Sequence, residues 1–197
     1  MQGSTDDSSL SHWYYICAMK CNPTLLLLFF ISLTSCNNKS TKETSTPLVM
    51  KTYVSDSLHL GFDYPENWEV RMNGSRLGIF ELLSDSTDQF EENIVTWTED
   101  MPLGISDSLY SKAAVTELKI KNPGLDVHIL PAKKLGKNTF YPFEFDFVNS
   151  DSTRFFIKGY TLVKGKRGYN FSCTSMSAEA SKHASIFETI LSSIKPL

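Results

Sequence analysis

The chain carries one dense apolar run, Leu25 to Leu33 (LLLLFFISL), preceded by Lys20 and followed by small polar residues. From residue 58 onward the pattern turns periodic. Leu58-His59-Leu60-Gly61-Phe62-Asp63-Tyr64 alternates apolar and polar side chains, the period of two that predicts a strand with one face buried. Pro65-Glu66-Asn67 stops it. Trp68 and Val70 open a second strand, broken at Asn73-Gly74, a pair suited to a tight hairpin because it tolerates positive φ. A third run spans Leu77–Leu83, a polar stretch follows at 84–88, and a fourth run at 93–98 centres on Val95 and Trp97. Four strands are expected before any helix.

Ser106-Asp107-Ser108 supplies oxygens that can cap free N–H groups, and Tyr110, Ala114 and Leu118 then recur four apart. That spacing predicts a helix, with Lys119 and Lys121 at the negative end of its dipole and Asn122-Pro123-Gly124 ending it. Further strands are expected at Val127–Leu130, Thr139–Val148, Arg154–Val163 and Gly168–Ser175, with 133–138, 150–152 and 164–167 as separators short enough for antiparallel neighbours. Phe143, Phe145 and Phe147 share one face of their strand, and Pro142, which has no N–H, predicts a local edge or bulge. His183, Ile186, Phe187, Ile190, Leu191 and Ile194 form an apolar stripe, predicting a helix over about 177–193 that packs on the sheet. Strands, helix, meander, helix is the order of an α+β domain with an antiparallel β-sheet sandwiched between helices.

The early apolar run is too short to span a bilayer, which takes roughly 20 residues. It matches a secretion-signal core of about 7–15 residues. Leu33-Thr34-Ser35-Cys36 resembles the bacterial lipobox, in which an aliphatic residue, two small residues and a cysteine mark the point of lipidation and cleavage. The expectation is a lipid on Cys36, which becomes the first mature residue. A single acyl chain binds marginally and added chains bind stably, at about 0.8 kcal/mol per buried CH₂. The signal is complete from Met19-Lys20, so Met19 is the expected start, with 1–35 as extension and leader. Segment 36–51, rich in Asn, Ser, Thr and Lys, reads as a lipidated tether, and 52–197 as the globular domain. Asn37 is not the aspartate that retains lipoproteins in the inner membrane of enteric bacteria, which favours the outer membrane, facing the periplasm.

Composition narrows the chemistry. The chain has 197 residues, 41% of them hydrophobic, and a formal charge of −3, enough apolar content for a core and too little positive charge for a dedicated nucleic-acid binder. Cys173 is the one cysteine expected to remain free after processing, and it reads as a small buried hydrophobe. His59 and His128 alternate with apolar neighbours and are expected to be exposed. The histidines have no H-x-x-x-H spacing, and Asp85, Asp88, Glu91 and Glu92 lack a calcium-loop pattern. Gly165-Lys166-Arg167-Gly168 leads into a strand and makes no phosphate loop. No metal, cofactor or catalytic residue is expected.

The segment Gly61-Phe62-Asp63-Tyr64-Pro65-Glu66-Asn67-Trp68, the central helix, the three-strand meander and the closing Tyr169–Ser175 strand with its helix ending Ile190-Leu191-Ser192-Ser193-Ile194-Lys195 resemble the PsbP-like group. That group takes in extrinsic photosystem II proteins, a Ran-binding nuclear import factor and small bacterial lipoproteins. The resemblance spans about 52–197 and implies an antiparallel sheet sandwiched between helices, with no shared catalytic machinery.

If 139–148 and 154–163 pair antiparallel, two basic turns meet at one sheet end. Lys133, Lys134 and Lys137 would then join Lys164, Lys166 and Arg167 in a rim for an anionic partner. The expected role is a non-enzymatic, lipid-anchored accessory or binding domain, monomeric, membrane-attached through Cys36 and serving an envelope protein. Two other readings stand beside it: a small-ligand carrier with a cleft lined by Trp68, Trp97 and Phe143, and a hydrolase with a scattered triad.

Overall fold

The computed structural model describes residues 48–83 and 90–197. The leader, Cys36, most of the tether and the polar stretch with Asp85 and Asp88 lie outside the described residues. Two antiparallel sheets build the domain. The smaller comprises β1 (Met50–Ser55), β2 (Leu60–Pro65) and β11 (Lys195–Pro196), in the order β1-β2-β11. The larger comprises β3 (Trp68–Asn73), β4 (Arg76–Glu81), β5 (Asn93–Asp100), β6 (His128–Ile129), β7 (Lys133–Leu135), β8 (Asn138–Val148), β9 (Arg154–Lys164) and β10 (Arg167–Met176). Its order is β3-β4-β5-β10-β9-β8-β6, with β7 paired to β8. Helix α1 (Asp107–Lys121) lies between β5 and β6 in sequence, and a 3-10 turn at Ser177–Glu179 leads into α2 (Ala180–Ser192).

Alternation along the strands divides the core in two. One face of the large sheet, with Trp68, Leu77, Ile79, Ile94, Phe140, Tyr160, Leu162, Tyr169, Phe171 and Cys173, meets Leu60 and Phe62 of the small sheet and Phe187, Ile190 and Leu191 of α2. The other face carries Phe145, flanked by Phe143, Phe147 and Ile157, against Val115 and Leu118 of α1. The shared face of the three phenylalanines is therefore the seat of α1. The Ser106 hydroxyl caps that helix by accepting from the Leu109 N–H at 3.3 Å, and the Asp107 carboxylate fixes it to β9 by accepting from the Val163 N–H at 2.7 Å. A buried polar clasp adds to this. The Tyr110 hydroxyl and the Asn170 amide each donate to Glu99 Oε1 at 2.9 Å, and the Asn170 amide also meets the Tyr110 oxygen.

Several expectations need correction. Segment 133–138 is not a plain separator: Lys133–Leu135 pairs with Asn138–Phe140 as a hairpin. Strand β1 begins at Met50, two residues inside the expected tether, and Met50 and Lys51 stand opposite Pro65 and Tyr64. β11 was not foreseen, since two residues carry no periodicity. His59 sits in a turn at φ 48° and not on a strand, though it is exposed as expected. Pro142 keeps register opposite Tyr160. Its missing N–H falls where the neighbour changes, because β7 pairs with residues 138–140 and β6 with 143–144, and the Pro142 carbonyl still accepts from the Leu130 N–H at 2.9 Å.

Burial has a consequence for pH. Loss of solvent pushes the Cys173 thiol and the Tyr110, Tyr160 and Tyr169 phenols up from their ordinary values. The folded state therefore keeps protons that the unfolded chain releases, so stability is full below about pH 8 and falls as pH rises through the thiol and phenol range. Urea midpoints at pH 8, 9, 10 and 11 should descend monotonically. A flat series would show that these groups ionise in place.

Candidate functional site

Side chains able to do chemistry gather at the two opposite ends of β5 and β10. Arg167 stands opposite Asp100 at one end, and Thr174 opposite Asn93 near the other.

At the first end, the β9–β10 turn passes through Gly165 at φ 61°. A pocket of about 220 Å³ opens there, lined by His59, Asp100, Lys164, Lys166, Arg167, Tyr169 and Leu197. The Tyr169 hydroxyl donates to the His59 carbonyl at 3.2 Å and holds the far wall. Arg167 reaches Asp100 at 3.9 Å, leaving Lys164 and Lys166 exposed on the same turn. A concavity with several cations and one carboxylate attracts anionic groups, and its guanidinium can grip a carboxylate or phosphate by paired N–H donors. Of the six expected rim residues, Lys164, Lys166 and Arg167 line this pocket. Lys133 turns instead to α2, where its ammonium meets Glu188 at 2.5 Å. Lys134 lies in β7 and Lys137 in the following turn, both exposed. The shift follows from the unforeseen β7: a strand aims alternate side chains to opposite faces, where a loose turn would have left all three lysines on the rim.

At the second end, three residues far apart in sequence meet. Glu81 ends β4, Glu92 precedes β5, and the Glu81 N–H donates to the Glu92 carbonyl at 2.8 Å. His183, on the first turn of α2, is 5% exposed. Its Nε2 lies 3.0 Å from Glu81 Oε2, its Nδ1 3.9 Å from Glu92 Oε1 and 3.2 Å from the Glu179 carbonyl. These are groups able to hold a cation. Sequence reasoning placed His183 in the apolar stripe, which is correct for its burial, and expected no metal ligands. The one available signal was a histidine in an otherwise aliphatic stripe. Its partners were invisible because they arrive from strands about ninety and a hundred residues away.

The other readings fare less well in geometry. Trp68 packs edge-on against Phe187 at 6.0 Å in the core under α2. Phe143 lies under α1, and Trp97 carries the Arg76 guanidinium 5.8 Å above its ring. Trp97 and Phe143 sit on strands three positions apart in the sheet, roughly 14 Å, so the three aromatics do not line one cleft. His128 meets Asp126 at 3.3 Å with both side chains exposed, and His183 meets glutamates rather than a serine.

No protein-family model matches the chain, and no curated protein sequence matches it. Solved structures do. The solution structure of the cyanobacterial PsbP (CyanoP) of Synechocystis superposes with a TM-score of 0.54 at 13% identity, over 84% of this chain and 99% of that one. The fold is PsbP-like. The yeast Ran-binding protein Mog1p of Saccharomyces cerevisiae shares the PsbP-like architecture with a TM-score of 0.53 at 9% identity, over 76% of this chain and 96% of its own. LpqN of Mycobacterium tuberculosis, described as involved in cell envelope biogenesis, matches with a TM-score of 0.52 at 14% identity, over 77% and 86%. Against a crystal structure from Bacteroides thetaiotaomicron the chain spans 48% of that chain's length. At these identities the likeness speaks for the PsbP-like sandwich alone, because one fold hosts many functions.

Proposed function

We propose that the protein is a lipid-anchored, non-enzymatic accessory domain of the bacterial cell envelope. It is held by an acylated Cys36 and presents its PsbP-like body to a partner. The observation that carries this reading is the joining of that body to a leader ending in Leu33-Thr34-Ser35-Cys36. Support at the level of class comes from two neighbours, one Ran-binding and one involved in cell envelope biogenesis. The surface offered is the turn with Lys164, Lys166 and Arg167, whose pocket suits an acidic partner protein. Tethered by 36–49, the monomeric domain works from the outer membrane on the periplasmic side.

The test has two arms. In the native host, mass analysis of the mature N-terminal peptide and radiolabelled palmitate should find an acylated cysteine at position 36, and Cys36→Ala should lose the label and accumulate unprocessed precursor. An unmodified sulfur, or a leader still attached in the wild type, overturns the anchor. In the second arm, reversing Lys164, Lys166 and Arg167 to Glu in the anchored protein should abolish low-salt cross-linking to its envelope partner, and unchanged cross-linking overturns the surface.

A further inference from the structure

We infer that Glu81, Glu92 and His183 form a binding site for one divalent first-row transition cation, of the kind zinc represents, which clasps the β4–β5 pair to the first turn of α2.

The placement of charge is the first reason. Phe80 stands opposite Asn93 in the ladder, so Glu81 and Glu92 are the next cross-strand pair, linked by the 2.8 Å backbone bond. Residues directly opposite project to the same face, and like charges there repel. The Glu92 side chain is only 6% exposed, so the repulsion between the two facing carboxylates acts through a medium of low dielectric and is strengthened there.

The second reason is the state of the imidazole. Its Nδ1 faces the Glu179 carbonyl, which can only accept, so Nδ1 carries the proton. In the neutral ring Nε2 then presents its lone pair to Glu81 Oε2, 3.0 Å away. Two acceptors face one another, and Oε2 is a buried atom without a hydrogen-bond partner. A cation between them satisfies both. A histidine whose far nitrogen is held by a backbone carbonyl is the usual arrangement for a metal-bound imidazole.

Spacing and donor type select the ion. One donor atom from each residue can be chosen so that all lie within 4.8 Å of one another, with Glu92 Oε1 now on the Nδ1 side of the ring at 3.9 Å, from where it must swing toward Nε2. Ligands about 2.0–2.2 Å from a common ion stand roughly 3–4 Å apart, so closure takes a small movement. Most of that movement belongs to the Glu92 carboxylate, whose Oε1 now holds a long 3.4 Å contact with the Met176 N–H. One imidazole with two carboxylates suits zinc, manganese or ferrous iron better than calcium or magnesium, which prefer oxygen donors throughout. The remaining coordination positions fall to water. Lys182, the nearest ammonium in sequence, is held by Glu179 at 3.0 Å, from where its charge also acts on Glu81 and Glu92.

The alternative is a protonated imidazole between the glutamates, and metal titration separates the two. The untagged full chain, stripped with chelator, is titrated with zinc chloride by calorimetry and with cobalt chloride by absorption. One saturable site is expected, with Glu81→Gln and His183→Gln each weakening it by more than about tenfold and the distant His128→Gln leaving it unchanged. Absence of saturable uptake by the wild type overturns the site, as does uptake equally tight in the folded variants. Should His183→Gln fail to fold, X-ray absorption on the zinc-loaded wild type decides: imidazole scattering with oxygen neighbours supports the assignment, and its absence overturns it.

Discussion

Replacing Phe140 by alanine lowers the unfolding free energy by about 3–5 kcal/mol, read as a fall in the urea midpoint at unchanged slope. Phe140 is 0% exposed. Its ring meets Tyr160 edge-on at 6.0 Å and Phe171 at 5.8 Å, so it joins three adjacent strands, β8, β9 and β10, on the face that also receives α2 and the small sheet. Truncation removes the burial of the ring and both edge contacts, and leaves a void that two neighbouring aromatics cannot fill without abandoning their own rotamers. Against a total stability of about 5–15 kcal/mol for a domain of this kind, that loss is large enough to unfold the protein near its growth temperature. A cost below about 1 kcal/mol would show that the core collapses around the gap, contrary to the close packing described.

Gly136→Ala should cost about 2–4 kcal/mol, whereas Gly74→Ala should cost only about 1. Both glycines have nearly the same backbone conformation, φ 58° and φ 60°, so the strain of a left-handed alanine is common to the pair. They differ in surroundings. A methyl group on Gly136 would meet the Ser192 carbonyl oxygen at 1.9 Å, while one on Gly74 would find nothing within 4 Å. The extra cost at Gly136 measures how firmly the β7–β8 hairpin is pressed against the last turn of α2. The same contact is secured by the Asn138 amide donating to the Ile194 carbonyl at 2.8 Å. Equal costs at the two sites, by parallel urea titrations, would mean that the hairpin and helix end can separate freely.

The elements with a regular pattern were legible. Trp68–Asn73 alternates because one face is buried. Leu60–Pro65, Asn138–Val148 and Arg154–Lys164 show as apolar-rich runs between polar turns, the last two because they feed the cores on both faces of the large sheet, and Ser106 announces α1 by supplying the oxygen that the first turn lacks. The stripe Phe187, Ile190, Leu191 and Ile194 marks the buried side of α2 and its end. What escaped were pieces too short or too polar to show a period. β11 has two residues, β7 begins with two lysines, and β1 alternates only weakly, with Val54 exposed and Tyr53 partly buried. Such strands exist because a neighbouring edge offers free N–H and C=O groups, a cause located in another part of the chain.

Sequence by itself determined the α+β class, the antiparallel meander and the faces of the two helices, because each depends on spacing between residues close together in the chain. Tertiary structure alone decided that Lys133 leaves the basic rim for Glu188, that Lys164, Lys166 and Arg167 share a pocket with His59, and that His183 lands between Glu81 and Glu92. Those meetings depend on strand order and on helix docking, which bring distant residues within a few ångströms and leave no trace in local periodicity.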